Sequence, residues 1–116
     1  MVLWIVTTGE ADELGLAGRL KVGAVVSLAE AQFRLGRIDL WPSDYHALAA
    51  PGTAQRMCGI SLIEIAGELR FTDAGGWKLY LAPHGGVDAA QLRRMRALDS
   101  RSASLLSAPF NAYQSI

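Results

Sequence analysis

The stretch Ile60–Leu81 limits what this 116-residue chain can fold into more than any other. Ile63, Ile65, Leu69 and Phe71 share one parity, while Glu64, Glu68, Arg70 and Thr72 hold the other. Strict alternation is the period of a half-buried strand. A two-residue hairpin at Ala66-Gly67 would set Ile65 opposite Glu68 and Ile63 opposite Arg70, apolar against charged on one face. The expected course is therefore one strand running from Ile60 to Phe71, with Gly67 as a kink or bulge. The reversal is placed at Asp73-Ala-Gly-Gly76, where glycine supplies the backbone angles of a tight turn. An odd loop of three or five residues brings Leu69, Phe71, Trp77, Leu79 and Leu81 onto one face. A four-residue loop would oppose Phe71 to Lys78.

Half of the residues are hydrophobic and 19% are charged, a globular composition leaning apolar. The length suits one domain over residues 1–116. Eleven basic and eleven acidic side chains cancel. That removes a global electrostatic case for nucleic acid or an anionic membrane as partner. The single cysteine, Cys58, allows no internal disulfide and no multi-cysteine zinc site, and points to a reducing, cytoplasmic setting. Val2–Val6 is apolar without a preceding basic residue, so no signal peptide is expected. No apolar run approaches the roughly 18 residues of a membrane helix.

The order of signals predicts an α+β domain: a mainly antiparallel sheet of about four strands, with two or three helices on one face. Val2–Thr7 reads as a strand buried on both sides. Glu10–Leu14 is acidic and exposed, with room for one helical turn, and Gly15 and Gly18 keep residues 15–18 irregular. Arg19–Val26 alternates as a second strand, with Leu20, Val22, Ala24 and Val26 on one side. Ser27 followed by Glu30 is a capping box opening a helix that Gly36 closes. Arg37–Trp41 is a short strand or connector. Ser43–Ala50 reads as a short helix ended by Pro51-Gly52. Asp88 caps an expected helix from Ala89 to Leu98, and Asp99–Ser104 interrupts the chain before a tail, 105–116, that Pro109 keeps from one continuous helix.

Candidate chemistry is sparse. His46 with Asp44, or with Asp39 near Trp41, is the nearest approach to a catalytic pair, since imidazole and carboxylate serve as general base and acid. His84 sits in a Gly-rich turn, where polar residues are ordinary. Cys58 activated by a histidine is a second enzyme idea, set against a small buried hydrophobe. Arg93, Arg94 and Arg96 form the densest charge and could grip phosphate, but the solvated face of a helix explains them without further assumption. Tyr80, on the polar parity beside Lys78 and Arg70, suits a binding face, as does Trp41. No dinucleotide or phosphate-loop motif occurs, and no cofactor or metal is expected. The sequence thus favours a small non-catalytic binding or interaction protein acting as a homo-oligomer, a dimer first. The alternative is a small enzyme or ligand-binding fold, with a small molecule held between sheet and helices near His46. The apolar tail, Leu105 to Ile116, must cover its own core or a neighbour's.

Overall fold

One long strand sets the order of the sheet. The computed structural model describes residues 1–73, 76–93 and 95–114, with Cys58 and Gln114 as backbone alone. Its elements are β1 (Val2–Thr8), β2 (Leu14–Ser27), α1 (Leu28–Leu35), β3 (Tyr45–Ala49), β4 (Gln55–Ser61) and α2 (Ser100–Gln114). The sheet is four-stranded, in the order β1-β2-β3, with β4 also pairing to β2. Its antiparallel character and the two helices make the α+β class that the sequence predicts. The chain forms two compact units, Met1–Leu3 with Arg19–Arg56, and Trp4–Gly18 with Met57–Ile116.

In the first unit, β3 lies antiparallel to β2, from Ser27↔Tyr45 to Val22↔Ala49. Val22, Ala24 and Val26 are half-buried, whereas Lys21, Val25 and Ser27 are exposed, as the alternation predicts. The helix start is also as expected, with the Glu30 N–H donating to Ser27 Oγ at 3.2 Å. The reciprocal half of the capping box is not made, because Glu30 Oε1 accepts from Arg34 Nε at 2.8 Å instead. Gly36 closes α1 at φ 63°, and Ala31 is its fully buried contact. Ser43–Ala50 forms no helix. Alanine and leucine prefer helix by only tenths of a kcal/mol. β2 offers a whole row of backbone partners, and the segment becomes β3.

Gly23 sits at the irregularity between Val22 and Ala24, where a Cβ would lie 2.8 Å from Ala50 Cα. The Ala50 N–H meanwhile donates to the Lys21 carbonyl at 2.8 Å. Only a residue without a side chain allows that approach.

The second unit holds the core, built on Leu14, Leu16, Leu62, Leu69, Leu106 and Phe110 among others. Gly15 and Gly18 do not break the chain, because β2 begins at Leu14 and runs straight through them. β1 is buried on one side only, with Ile5 and Thr7 exposed.

The strand expected from Ile60 to Phe71 stops at Ser61. Ile65 and Ala66 N–H both turn back to the Leu62 carbonyl, and a 3-10 helix follows over Ala66–Glu68. The Glu68 N–H reaches the Ile65 carbonyl at 2.9 Å, which rules out the straight course. The buried residues here are Leu62, Ala66 and Leu69, a helical spacing, whereas Ile63 is exposed. A short apolar run satisfies both periods, and the core selected the one that hid Leu62.

The reversal beyond it does fall where the glycines put it. Arg70 and Lys78 bridge antiparallel, and the Phe71 N–H donates to the Trp77 carbonyl at 2.9 Å. Residue 71 is therefore opposite 77, which is the odd loop. Leu69, Phe71 and Leu79 are buried, but Trp77 and Leu81 stay exposed. Ala74 and Gly75 at its tip lie outside the described residues.

The helix expected over Ala89–Leu98 shortens to a 3-10 helix, Ala89–Leu92, capped by Asp88 Oδ1 on the Ala90 N–H. Beyond it the chain extends, with Leu98 bridging Phe71 and the Thr72 N–H donating to the Ala97 carbonyl. The tail instead forms α2, straight through Pro109. A mid-helix proline costs about 3 kcal/mol. Burying Leu106 and Phe110 returns roughly 1.5–3 kcal/mol each, and Phe110 adds an edge-on contact to Trp4 at 5.8 Å. The tail thus covers its own core, apart from Ile116, which lies outside the described residues.

Asp99 starts α2. Its Oδ1 accepts from the Ser102 N–H at 2.7 Å, and the buried Ser102 Oγ accepts from the Arg70 N–H at 2.7 Å. Hydrogen bonding from the Ser102 backbone, then from its side chain, holds the Asp99 carboxyl below the usual carboxylate range. A depressed folded-state pKa contributes stability above the ordinary carboxylate range, and that contribution is lost as pH falls through the folded value. Asp99→Ala is expected to lower the melting temperature at neutral pH by roughly 5 °C. The gap to wild type should close in strong acid, which thermal scans across pH would read. Gly23→Ala is expected to cost roughly 1–3 kcal/mol by urea unfolding.

Candidate interaction surface

The polar candidates are scattered and mostly engaged by their own neighbours. Asp39 makes a two-point ion pair with Arg37, at 2.7 and 2.9 Å. The hydrogen bond from Arg37 holds the Asp39 carboxyl below the usual carboxylate range, so it stays ionised and cannot serve as a proton donor near neutrality. Asp44 is exposed, and its backbone carbonyl accepts from the Leu28 N–H at 3.3 Å, joining β3 to the start of α1. His46 lies on β3 opposite Val26, and its buried Nε2 has no hydrogen-bond partner among the described residues. The two carboxylates named with it are not bonded to that nitrogen.

His84 serves the fold. Its Nε2 stands 2.9 Å from the Ala11 carbonyl, which can only accept, so Nε2 carries the proton. Ala11 and Asp12 adopt left-handed φ values of 53° and 57°, costly for residues with a Cβ. His84 and the Val87 N–H, which donates to the Asp12 carbonyl at 2.8 Å, brace that turn. Gly86 is needed there, since a Cβ would stand 2.6 Å from the Ala11 carbonyl.

The arginines separate in the same way. Arg96 is clamped onto Asp73 through Nε at 3.2 Å and Nη2 at 3.0 Å, and its guanidinium lies 4.1 Å over the Phe71 ring. Nη2 also donates to the Gly76 carbonyl, and the Ala97 N–H adds a bond to Asp73 Oδ2. This side chain is a cross-link that locks the reversal after Phe71 to the extended segment 95–98. Arg93 is exposed after the short 3-10 helix. Arg94 and the Cys58 side chain, both proposed for chemistry, lie outside the described residues. Tyr80 is exposed, and its backbone N–H and carbonyl are both bonded by the Gln91 side-chain amide. Among the described residues no group of three or more His, Cys, Asp or Glu stands ready for a metal ion. No helix described here is long and apolar enough to cross a membrane.

What the first unit does display is apolar surface. Phe33 is 84% exposed, Ile38 91% and Trp41 80%, all within nine residues of α1 and the connector after it. Val25, Leu35 and Tyr45 are exposed beside them in the sequence. Sequence reasoning singled out Trp41 and missed Phe33 and Ile38. The signal available was the stripe of α1, which uses Ala31 inward and leaves Phe33 outside it. Comparison with protein-family models, curated proteins and solved structures finds no match to this chain.

Arg96→Ala is expected to destabilise the protein by roughly 2–4 kcal/mol, below the full cost of breaking a buried pair because Asp73 is partly exposed. Arg96→Lys should recover less than half, since an ammonium cannot reproduce the two-point geometry. Urea unfolding of the three proteins measures both.

Proposed function

We propose that this chain is a non-catalytic interaction protein that works as a homo-oligomer, a dimer first, through the apolar surface of the unit Met1–Leu3 with Arg19–Arg56. The carrying observation is the trio Phe33, Ile38 and Trp41, each at least 80% exposed. Single exposed apolar side chains are ordinary, but a cluster of large ones in a short segment is the mark of a contact surface. Burying three such side chains supplies roughly 5–9 kcal/mol before the cost of association. The depletion of charge supports the same reading, because the charged groups of this segment, Arg34 with Glu30 and Arg37 with Asp39, already neutralise one another. A catalytic role through His46 draws no comparable support, since Asp39 is committed to Arg37.

Sedimentation velocity of the full chain at micromolar concentration tests the reading. Wild type should run as a dimer, and the triple variant Phe33→Ser, Ile38→Ser, Trp41→Ser as a monomer with unchanged circular dichroism. A monomeric wild type would refute it.

A further inference from the structure

The strand Tyr45–Ala49 pairs on one side only. β2 is its partner, and among the described residues no other strand meets it. Natural edges are guarded by lysine, proline, bulges or inward-facing charge, because an open row of N–H and C=O groups recruits another strand. Tyr45-His-Ala-Leu-Ala49 carries none of these, and the bulge of this pairing lies in β2, not β3. The edge of β4 is different. It carries Arg56 and is bent at Gly59, where φ is 58°.

The backbone phase can be read directly. The Leu28 N–H bonds the Asp44 carbonyl, and antiparallel pairing alternates, so His46 and Leu48 turn their backbone groups toward β2. Tyr45, Ala47 and Ala49 turn theirs outward. Their side chains share a face with Val25, which is opposite Ala47 and 59% exposed.

We infer that β3 is the seam of the oligomer: it pairs antiparallel with β3 of a second copy, about a two-fold axis at Ala47. The inference rests on the homo-oligomer reading and adds the segment and its register. A second copy is the occupant because the strand complements itself. With the axis at Ala47, each outward-turned residue meets an outward-turned residue: Tyr45 meets Ala49, and Ala47 meets Ala47. Asp44 then faces Ala50 of the second copy, so no like charges oppose. The central alanines leave room for Tyr45 to lie across the seam. The axis is perpendicular to the sheet, so both copies of α1, which packs on β3, come to the same face of the joined sheet on either side of the seam.

Exposed apolar surface accompanies this edge: Tyr45, 70% exposed, is on the outward-turned row, and Phe33, 84% exposed, is on α1, which packs on β3.

The test uses the full chain with Ala47→Lys, Ala47→Glu and an equimolar mixture of the two, by native mass spectrometry and sedimentation. Each variant alone should lose at least about tenfold in dimer affinity, because like charges then meet at the axis. The mixture should restore a dimer containing one of each. In wild type, the amides of Tyr45, Ala47 and Ala49 should exchange more slowly as concentration rises. A dimer unaffected by Ala47→Lys overturns the seam while leaving the homo-oligomer reading intact. Two monomeric variants that fail to re-pair on mixing also overturn it. A monomeric wild type removes both.

Discussion

The backbone of β2 is the constraint on which the rest depends. A strand of this length brings a long row of N–H and C=O groups out of water, and each must be paired. Among the described residues, β2 is the strand with neighbours along both edges, since β1, β3 and β4 all pair with it. Its first residues, Leu14 and Leu16, are core. Beyond Leu20 its side chains alternate between cover and solvent. The demand for partners explains why Tyr45–Ala49 is a strand despite a helical composition. It also explains why Gly23 has no side chain: the approach of Ala50 to β2 leaves no space for one.

Within the unit of Trp4–Gly18 and Met57–Ile116, a few polar residues hold together the segments that form no long strand or helix. Arg96 holds the segments around Asp73, Gly76 and Gln91 together, and Ser102 ties α2 to Arg70. Isolated bridges such as Arg70 to Lys78 and Phe71 to Leu98 are too short to be stable alone. They persist because these side chains fix the chain on either side. The cationic groups most suggestive of ligand binding are therefore partly consumed by architecture. Arg70 and Lys78, both about 4.9 Å over the Trp77 ring, follow the same pattern.

The exposed apolar surface follows from what packing did not need. α1 buries Ala31 and leaves Phe33 and Leu35 outward, and the connector after it leaves Ile38 and Trp41 in water. Tyr45 and Val25 then add apolar surface to the open face next to an unguarded edge. An aggregate of this kind is costly in a monomer and useful in an assembly.

Local rules determined what local forces could decide. Ser27 and Gly36 bound α1, Asp88 caps its turn, the alternation after Leu20 makes a strand, and Phe71 stands opposite Trp77 with the expected odd parity. Each depends on residues a few positions apart, so the sequence carries the whole cause. The remaining elements were decided at a distance. Ile60–Phe71 satisfies a strand period and a helical one, and only the place kept for Leu62 and Ala66 in the core chose between them. The arginines after Asp88 looked like a helix face until Asp73 claimed Arg96. Pro109 argued against a helix that the burial of Leu106 and Phe110 restored. His46 and Asp44 are two residues apart in sequence, yet the phase of β3 against β2 set their surroundings. The α+β class and the helix caps were thus legible from sequence alone. The ends of β4, the course of residues 95–114 and the exposed apolar surface belong to tertiary structure, because burial free energy outweighs local preference wherever the two conflict.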